Sequence, residues 1–368
     1  MRGTLLLVGL FLLSVSAPSG AAERRLDMRR LRARDGAVVA RDKVSGAEVK
    51  LTLDPALQAA SERILQGAKA HEAAIVVSDV RTGRVLVWVT RGGGRDLVAT
   101  PLAPSASVFK VVTAAALLET GRVHRSTRQC YSGGERKIEE EDLDDDRATD
   151  DRCTTVGSAL GHSVNLVFAR LALKHLEPAA LRDEASQLAI GAEIPIDVSV
   201  PESSLHIPDD RLGFARAAAG FWNGKLSPLS ALFMMQTIAN GGQRVAFDLV
   251  DDGSASPTHL GAAMRKETAT ALTRMLEVTT KAGTSSKVFH DEDGRRVFPH
   301  VTVAGKTGTL IGGSPRRMYS WFAGFAPSRR PEIAVTVLLA NDVRWWKKAN
   351  EVARDVLGEY LDQRGKRR

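Results

Sequence analysis

Strand-like runs crowd the two ends of this 368-residue chain and helical stretches fill its middle. That segregation constrains the fold more than any other feature. Near the start, Ile75-Val76-Val77 and Val85-Leu86-Val87-Trp88-Val89 flank Thr82-Gly83. Two β-rich runs about a glycine-bearing turn predict a hairpin. Toward the end, Val301 to Thr309, Tyr319 to Phe325 and Ile333 to Ala340 are again β-like, and a helix is expected from about Arg344 to Leu361. Between these lie helical stretches: residues 114–118 stopping at Gly121, Ala159 to Lys174, and Ser227 to Asn240 stopping at Gly241-Gly242. Asp54-Pro55 reads as a helix start, a cap followed by a first-turn proline, ahead of Leu57, Ala60, Ile64, Leu65 and Ala68 at helical spacing. An α/β (α+β) architecture satisfies this order. One antiparallel sheet is assembled from both ends, flanked by helices, with an all-helical subdomain inserted.

The composition, 43% hydrophobic and 26% charged, is that of a folded globular protein and excludes disorder and a multi-span membrane protein. No repeat of a solenoid period is present. Arg2, the apolar run from Leu5 to Val15 and the small residues Ser19, Gly20, Ala21 and Ala22 read as a cleavable secretory signal over 1–22. An uncleaved N-terminal anchor is the alternative reading, although the run is short for a span of ~20 residues. Residues 23–48 are rich in arginine and are expected to be a basic linker. Residues 49–363 then form one domain, and 364–368 a basic tail. The net charge of +8 reads first as solubility and frayed basic termini, with dwelling on anionic cell-wall or membrane surfaces as the alternative. Nucleic-acid binding is disfavoured by the export signal and by an aromatic content of only 5%.

Export also gives meaning to the two cysteines. Cys130 and Cys153 are expected to pair as a disulfide. The pair closes a loop crowded with carboxylates, Glu139 to Asp146 above all, which should repel itself and stay solvated. Asp142, Asp144 and Asp146 have the first ligand spacings of a calcium loop. However, Arg147 stands where glycine is needed and Cys153 where the bidentate glutamate belongs, so a metal is not expected.

Three short motifs carry chemistry. Ser107-Val108-Phe109-Lys110 opens a helical stretch after Pro104, and residues three apart share one helix face. Lys110 can therefore reach the Ser107 hydroxyl. A serine is a poor nucleophile until a base takes its proton, and a lysine serves if burial or nearby positive charge lowers its pKa. Ser163-Val164-Asn165 supplies a second hydroxyl to shuttle a proton and a carboxamide able to hold both Lys110 and a substrate amide. Lys306-Thr307-Gly308-Thr309 ends a β-like run. Its cation and hydroxyls can bind a carboxylate, Gly308 permits close backbone approach, and the N–H groups of Thr309 and Ser107 can form an oxyanion hole. Each motif alone is weak; the ordered set is specific.

That set resembles the transpeptidase domain of penicillin-binding proteins. The likeness extends from roughly residue 50 to 345 and includes Leu51-Thr52-Leu53-Asp54, Pro201-Glu202-Ser203-Ser204, Ser227-Pro228-Leu229, Ala239-Asn240-Gly241-Gly242 and the Trp321–Pro327 stretch. The resemblance implies a β-lactamase/transpeptidase-like fold and an extracytoplasmic, periplasmic location. It implies that Ser107 attacks the D-Ala-D-Ala amide of a peptidoglycan stem peptide, or a β-lactam. Lys110 would be the base, Ser163 the relay and Asn165 the orienting group, with Lys306, Thr307 and Thr309 holding the terminal carboxylate. No cofactor or metal is implied. A separate glycosyltransferase is the implied partner, since the chain has no room for such a domain. Three other readings remain. A D,D-carboxypeptidase would pass the acyl group to water. A β-lactamase of the kind that deacylates with a loop glutamate would use Glu202. A non-catalytic β-lactam- or peptidoglycan-binding module would keep the fold without turnover.

Overall fold

The Arg-rich segment expected to be a linker is folded. The structure, a computed structural model, describes residues 24–367 apart from 136, 222–223, 254–255, 313–315 and 343–345. The secretory segment expected over 1–22 lies outside the described residues. From residue 24 onward, β1 (Arg32–Arg34), β2 (Ala37–Arg41) and β3 (Glu48–Lys50), which begins at the end of the expected linker, form an antiparallel sheet. Leu26, Met28, Val38 and Ala40 are buried in the main core. The few apolar residues between the arginines are enough to dock the segment, while Arg32 and Arg34 stay exposed.

Next comes α1 (Pro55–Gly67), whose first N–H groups, those of Ala56 and Leu57, donate to the Asp54 carboxylate. The expected hairpin follows as β4 (Glu72–Asp79) and β5 (Val85–Arg91), with Ile75 opposite Val89. Gly83 has φ +77°, and a Cβ there would lie 2.0 Å from the Ala246 carbonyl oxygen, so only glycine fits the turn. The chain then enters its helical half: α2 (Lys110–Glu119), a short hairpin of β6 (Arg128–Tyr131) and β7 (Arg152–Thr155), α3 (Val156–His162), α4 (Asn165–His175), α5 (Pro178–Gln187), α6 (Arg211–Ala218), α7 (Pro228–Ala239) and α8 (Lys266–Lys281). It returns as β8 (Ala304–Gly312), β9 (Arg317–Ala326), β10 (Ile333–Asn341) and α9 (Ala349–Arg367). The five-stranded sheet has the order β8-β9-β10-β4-β5 with every pairing antiparallel. Both ends of the chain thus build one sheet, as the pattern predicts.

Both faces of that sheet are covered. Val76, Trp88, Trp321 and Phe325 pack on the helical half with α2 and α7. Their alternates Ile75, Val87, Phe322 and Val335 face α1 and α9. Burial on both sides explains why the strands read as unbroken apolar runs rather than alternating ones. Two expectations are corrected. The helix foreseen over 159–174 is split, because Ser163 adopts a left-handed conformation (φ +63°) between α3 and α4. The final helix begins later than expected and continues through residues 364–367, which are therefore not a loose tail. Among the described residues, no helix is long and apolar enough to cross a membrane.

Candidate active site

Ser107 sits on a short 3-10 turn, Ala106–Val108, that feeds α2. Two contacts fix this turn against the sheet edge. The Trp321 indole N–H donates to the Pro104 carbonyl at 2.9 Å. A Cβ on Gly308 would meet Ala106 Cβ at 3.3 Å and Val108 Cγ2 at 3.2 Å, so the missing side chain lets β8 press closely on the turn. Ala106 itself has φ +47°, a left-handed conformation that costs a non-glycine residue about 1–2 kcal/mol. The strain lies immediately before the nucleophile candidate.

Beneath the turn lies Lys110, fully buried. Its Nζ donates to Ser107 Oγ at 2.8 Å and to the Ala219 carbonyl at 2.7 Å. Burial holds its pKa well below the ordinary lysine value, and the neighbouring Lys306 ammonium lowers it further. Lys306, on the edge strand β8, is buried too. It donates to Ser163 Oγ and to the Thr307 carbonyl, each at 2.9 Å. Burial lowers its pKa to about 7. The break between α3 and α4 brings Ser163 to the cleft beside Lys306. Thr307, Thr309 and Ser107 line the same cleft, of about 560 Å³.

Asn165 departs from the expectation. Its carboxamide lines the cleft, but its Nδ2 donates to the carbonyls of Gly134 (2.8 Å) and Glu135 (3.0 Å), whereas Lys110 bonds Ser107 and Ala219. Asn165 therefore ties the site to the loop between β6 and β7. Cys130 and Cys153, directly paired across those strands, form the disulfide that closes this loop. The loop is not left to repel itself. Ile138 and Leu143 pack with Leu166, Ala169, Ala215 and Ala219. Arg170 of α4, buried, pairs with Asp150 at 2.6 Å and donates to the carbonyls of Asp142 and Cys130. Lys174 pairs with Asp145, Arg211 with Glu140 and Asp144, and Arg216 with Glu139. The spacing of Asp142, Asp144 and Asp146 does not yield a metal cluster among the described residues. Asp142 accepts from the Glu139 N–H, Asp144 pairs with Arg211, and Asp146 caps its own turn.

Sequence reasoning missed Thr284, whose Oγ1 lies 2.6 Å from Thr307 Oγ1, and Glu135, Lys348 and Asn350, which also line the cleft. All come from loops or a helix start, and no local spacing marks them. Glu202 is exposed and does not line the cleft.

The arrangement can perform acyl transfer. It offers a hydroxyl on a buried amine of lowered basicity, a second hydroxyl on a second amine, and threonine hydroxyls beside them for an anion. This chain belongs to the penicillin-binding protein transpeptidase domain family, whose model matches residues 73–358. It is similar to the peptidoglycan D,D-transpeptidase PbpA of Mycobacterium tuberculosis, 26% identical over 346 residues that cover 80% of this chain and 68% of that protein. Among solved structures it resembles the D,D-transpeptidase domain of a peptidoglycan glycosyltransferase from Eggerthella lenta (TM-score 0.71, 24% identity, 86% of this chain and 83% of that one). It also resembles a penicillin G acyl-enzyme complex of penicillin-binding protein A from M. tuberculosis (TM-score 0.67, 22% identity, 85% of this chain and 80% of that one). These structures share its fold.

Proposed function

We propose that the protein is a serine D,D-transpeptidase that acts on peptidoglycan stem peptides outside the cytoplasm and is acylated by β-lactams. One observation carries the reading: a fully buried lysine amine, lowered in pKa, 2.8 Å from the hydroxyl of Ser107. Neutral Lys110 takes the Ser107 proton as Oγ attacks the carbonyl carbon of the penultimate D-Ala. The N–H groups of Ser107 and Thr309 receive the developing oxyanion. Collapse of the tetrahedral adduct breaks the C–N bond, and the departing amine of the terminal D-Ala takes the proton that Lys110 removed, relayed through Ser163. Lys306, Thr307 and Thr309 hold the terminal carboxylate. An amine from a neighbouring stem then attacks the ester carbonyl and gives up a proton to neutral Lys110, which returns it to Ser107 Oγ as the C–O bond breaks. The relative named as a peptidoglycan D,D-transpeptidase and the neighbour captured as a penicillin G acyl-enzyme support both substrate classes.

The position of Glu202 argues against a β-lactamase that deacylates through a loop glutamate, because that residue stands outside the cleft. A glycan-polymerising partner and export by the N-terminal segment complete the proposal. The test is a time course with labelled penicillin followed by intact-mass analysis. A stoichiometric, long-lived adduct on Ser107 is expected. Rapid continuous hydrolysis would make the protein a β-lactamase, and no adduct at all would remove the acyl-transfer reading.

A further inference from the structure

The carboxyl end of α6 is completed by α2. The last four carbonyls of a helix have no partner within it. At the end of α6 the chain turns out through Gly220, at φ +86°, and fills two of them. The Gly220 N–H donates to the Ala217 carbonyl at 2.8 Å, and the Phe221 N–H to the Arg216 carbonyl at 2.9 Å. The carbonyls of Ala218 and Ala219 are left, and both residues are buried. Thr113 Oγ1 donates to the first and Lys110 Nζ to the second, each at 2.7 Å. Thr113 is itself fully buried and lies about one turn beyond Lys110 on α2. A threonine within a helix commonly turns its hydroxyl back onto its own helix. This one reaches across to α6. The approach is close: a Cβ on Gly220 would stand 2.2 Å from the Ala106 carbonyl oxygen, so α6 ends directly against the turn that carries Ser107.

We propose that Thr113 is a positioning residue for acyl transfer, occupying the Ala218 carbonyl so that the neighbouring Ala219 carbonyl stays set to orient the Lys110 amine toward Ser107. The inference rests on the acyl-transfer reading of the site and deepens it. A neutral amine takes a proton only through its lone pair. The Ala219 carbonyl engages one N–H of Lys110 and so fixes the rotation that aims the lone pair at Ser107 Oγ, 2.8 Å away. Once Lys110 holds the proton, the negative end of α6 favours the ammonium. The carboxamide of Asn165, which the sequence put forward for this task, donates to the loop carbonyls of Gly134 and Glu135 instead. Without the Thr113 hydroxyl, two buried carbonyls compete for one amine, and the lone pair loses its aim.

Stopped-flow acylation by benzylpenicillin separates the dissociation constant of the first complex from the rate of the acylation step. Thr113→Val keeps the shape and removes the hydroxyl. It should slow the step about tenfold, the worth of a single hydrogen bond, and leave the dissociation constant and the fraction of protein that can be acylated unchanged. Thr113→Ser restores the hydroxyl and should recover most of the rate. In a Lys110→Ala background, Thr113→Val should cost nothing further, because the group through which it acts is gone. An unchanged rate in Thr113→Val overturns the proposal. So does a loss confined to binding or to the active fraction, or one that persists undiminished in Lys110→Ala, since each of these marks a role in packing alone. If Thr113→Val fails to fold, Thr113→Cys, a weak donor of similar size, carries the same comparison. Failure of the unmodified protein to be acylated would overturn the acyl-transfer reading itself, and this inference with it. Normal acylation with an unmoved rate in the variant removes this inference alone.

Discussion

The two walls of the cleft are held by different physics. The sheet wall, with Lys306 to Thr309, is part of a continuous antiparallel ladder and has apolar layers on both faces. Its polar side chains are few: Lys306 is buried, Thr307 half-buried and Thr309 exposed, and both threonines line the cleft. The loop wall, with Glu135 and the partners of Asn165, is a short hairpin closed by a disulfide. It is pinned by a small apolar cluster and by cations projecting from α4 and α6. The first wall is rigid for reasons that any strand shares. The second is rigid only because several separate interactions converge on it. Damage to the sheet side should therefore remove chemistry, and damage to the loop side should first remove stability and alignment.

The largest effects should fall between the walls, where the chemistry is. Ser107→Ala should abolish covalent labelling by penicillin, and surviving label would sink the nucleophile assignment. Lys110→Ala should slow acylation by about 10²–10⁴-fold without preventing folding. Near-normal acylation would require another base. Lys306 sharpens the point through pH. In the proposed mechanism Lys110 acts as the neutral amine, so acylation should fall as pH drops and it takes up a proton. The Lys306 ammonium is one cause of its low pKa, so Lys306→Gln should let that pKa rise and move the acid limb to higher pH. In the unmodified protein, Lys306 loses its charge as pH climbs through about 7. Affinity for carboxylate-bearing penicillins should weaken above that point. A pH profile of second-order acylation checks both limbs. An acid limb that stays in place in the variant would mean that the two lysines do not interact.

How much of this was legible beforehand follows the same division. The sheet wall was readable because strands announce themselves by local pattern: Val301 to Thr309 and its partners appear as β-like runs, and Lys306-Thr307-Gly308-Thr309 is contiguous. Ser107 and Lys110 are readable because helical spacing puts them on one face. The loop wall was not readable. A run of carboxylates between two cysteines predicts repulsion, because the arginines and lysine that offset it lie in α4 and α6, distant in sequence. The buried roles of Ile138 and Leu143 are set by tertiary packing alone. The left-handed Ser163 that splits the expected helix sits among weak helix formers, Gly161, His162, Val164 and Asn165, a local signal outweighed by the helical runs on either side. The linker reading failed for a related reason: arginine density masked a few apolar residues that suffice to dock a small sheet.

The loop side should yield in proportion to burial. Arg170 and Asp150 are both almost fully buried, 3% and 5% exposed in their side chains. Arg170→Met leaves the Asp150 carboxylate without its buried partner and strips the hydrogen bonds to the Asp142 and Cys130 carbonyls, a loss of about 3–5 kcal/mol. Calorimetric unfolding measures it. Replacing both cysteines with serine should cost less, roughly 3 kcal/mol by loop entropy, and dithiol reduction of the unmodified protein should reproduce the shift. At the far end, Arg211 pairs with Glu140 and Asp144 while 42% exposed. Solvent and salt screen such pairs, so Arg211→Ala should cost less than about 1 kcal/mol and the difference should vanish at high salt. If Arg211→Ala proved as damaging as Arg170→Met, the loop would be held by its summed charge rather than by its buried anchor. Net charge opposite the sheet edge, more than the Arg170 contact, would then keep Glu135 and Asn165 in place.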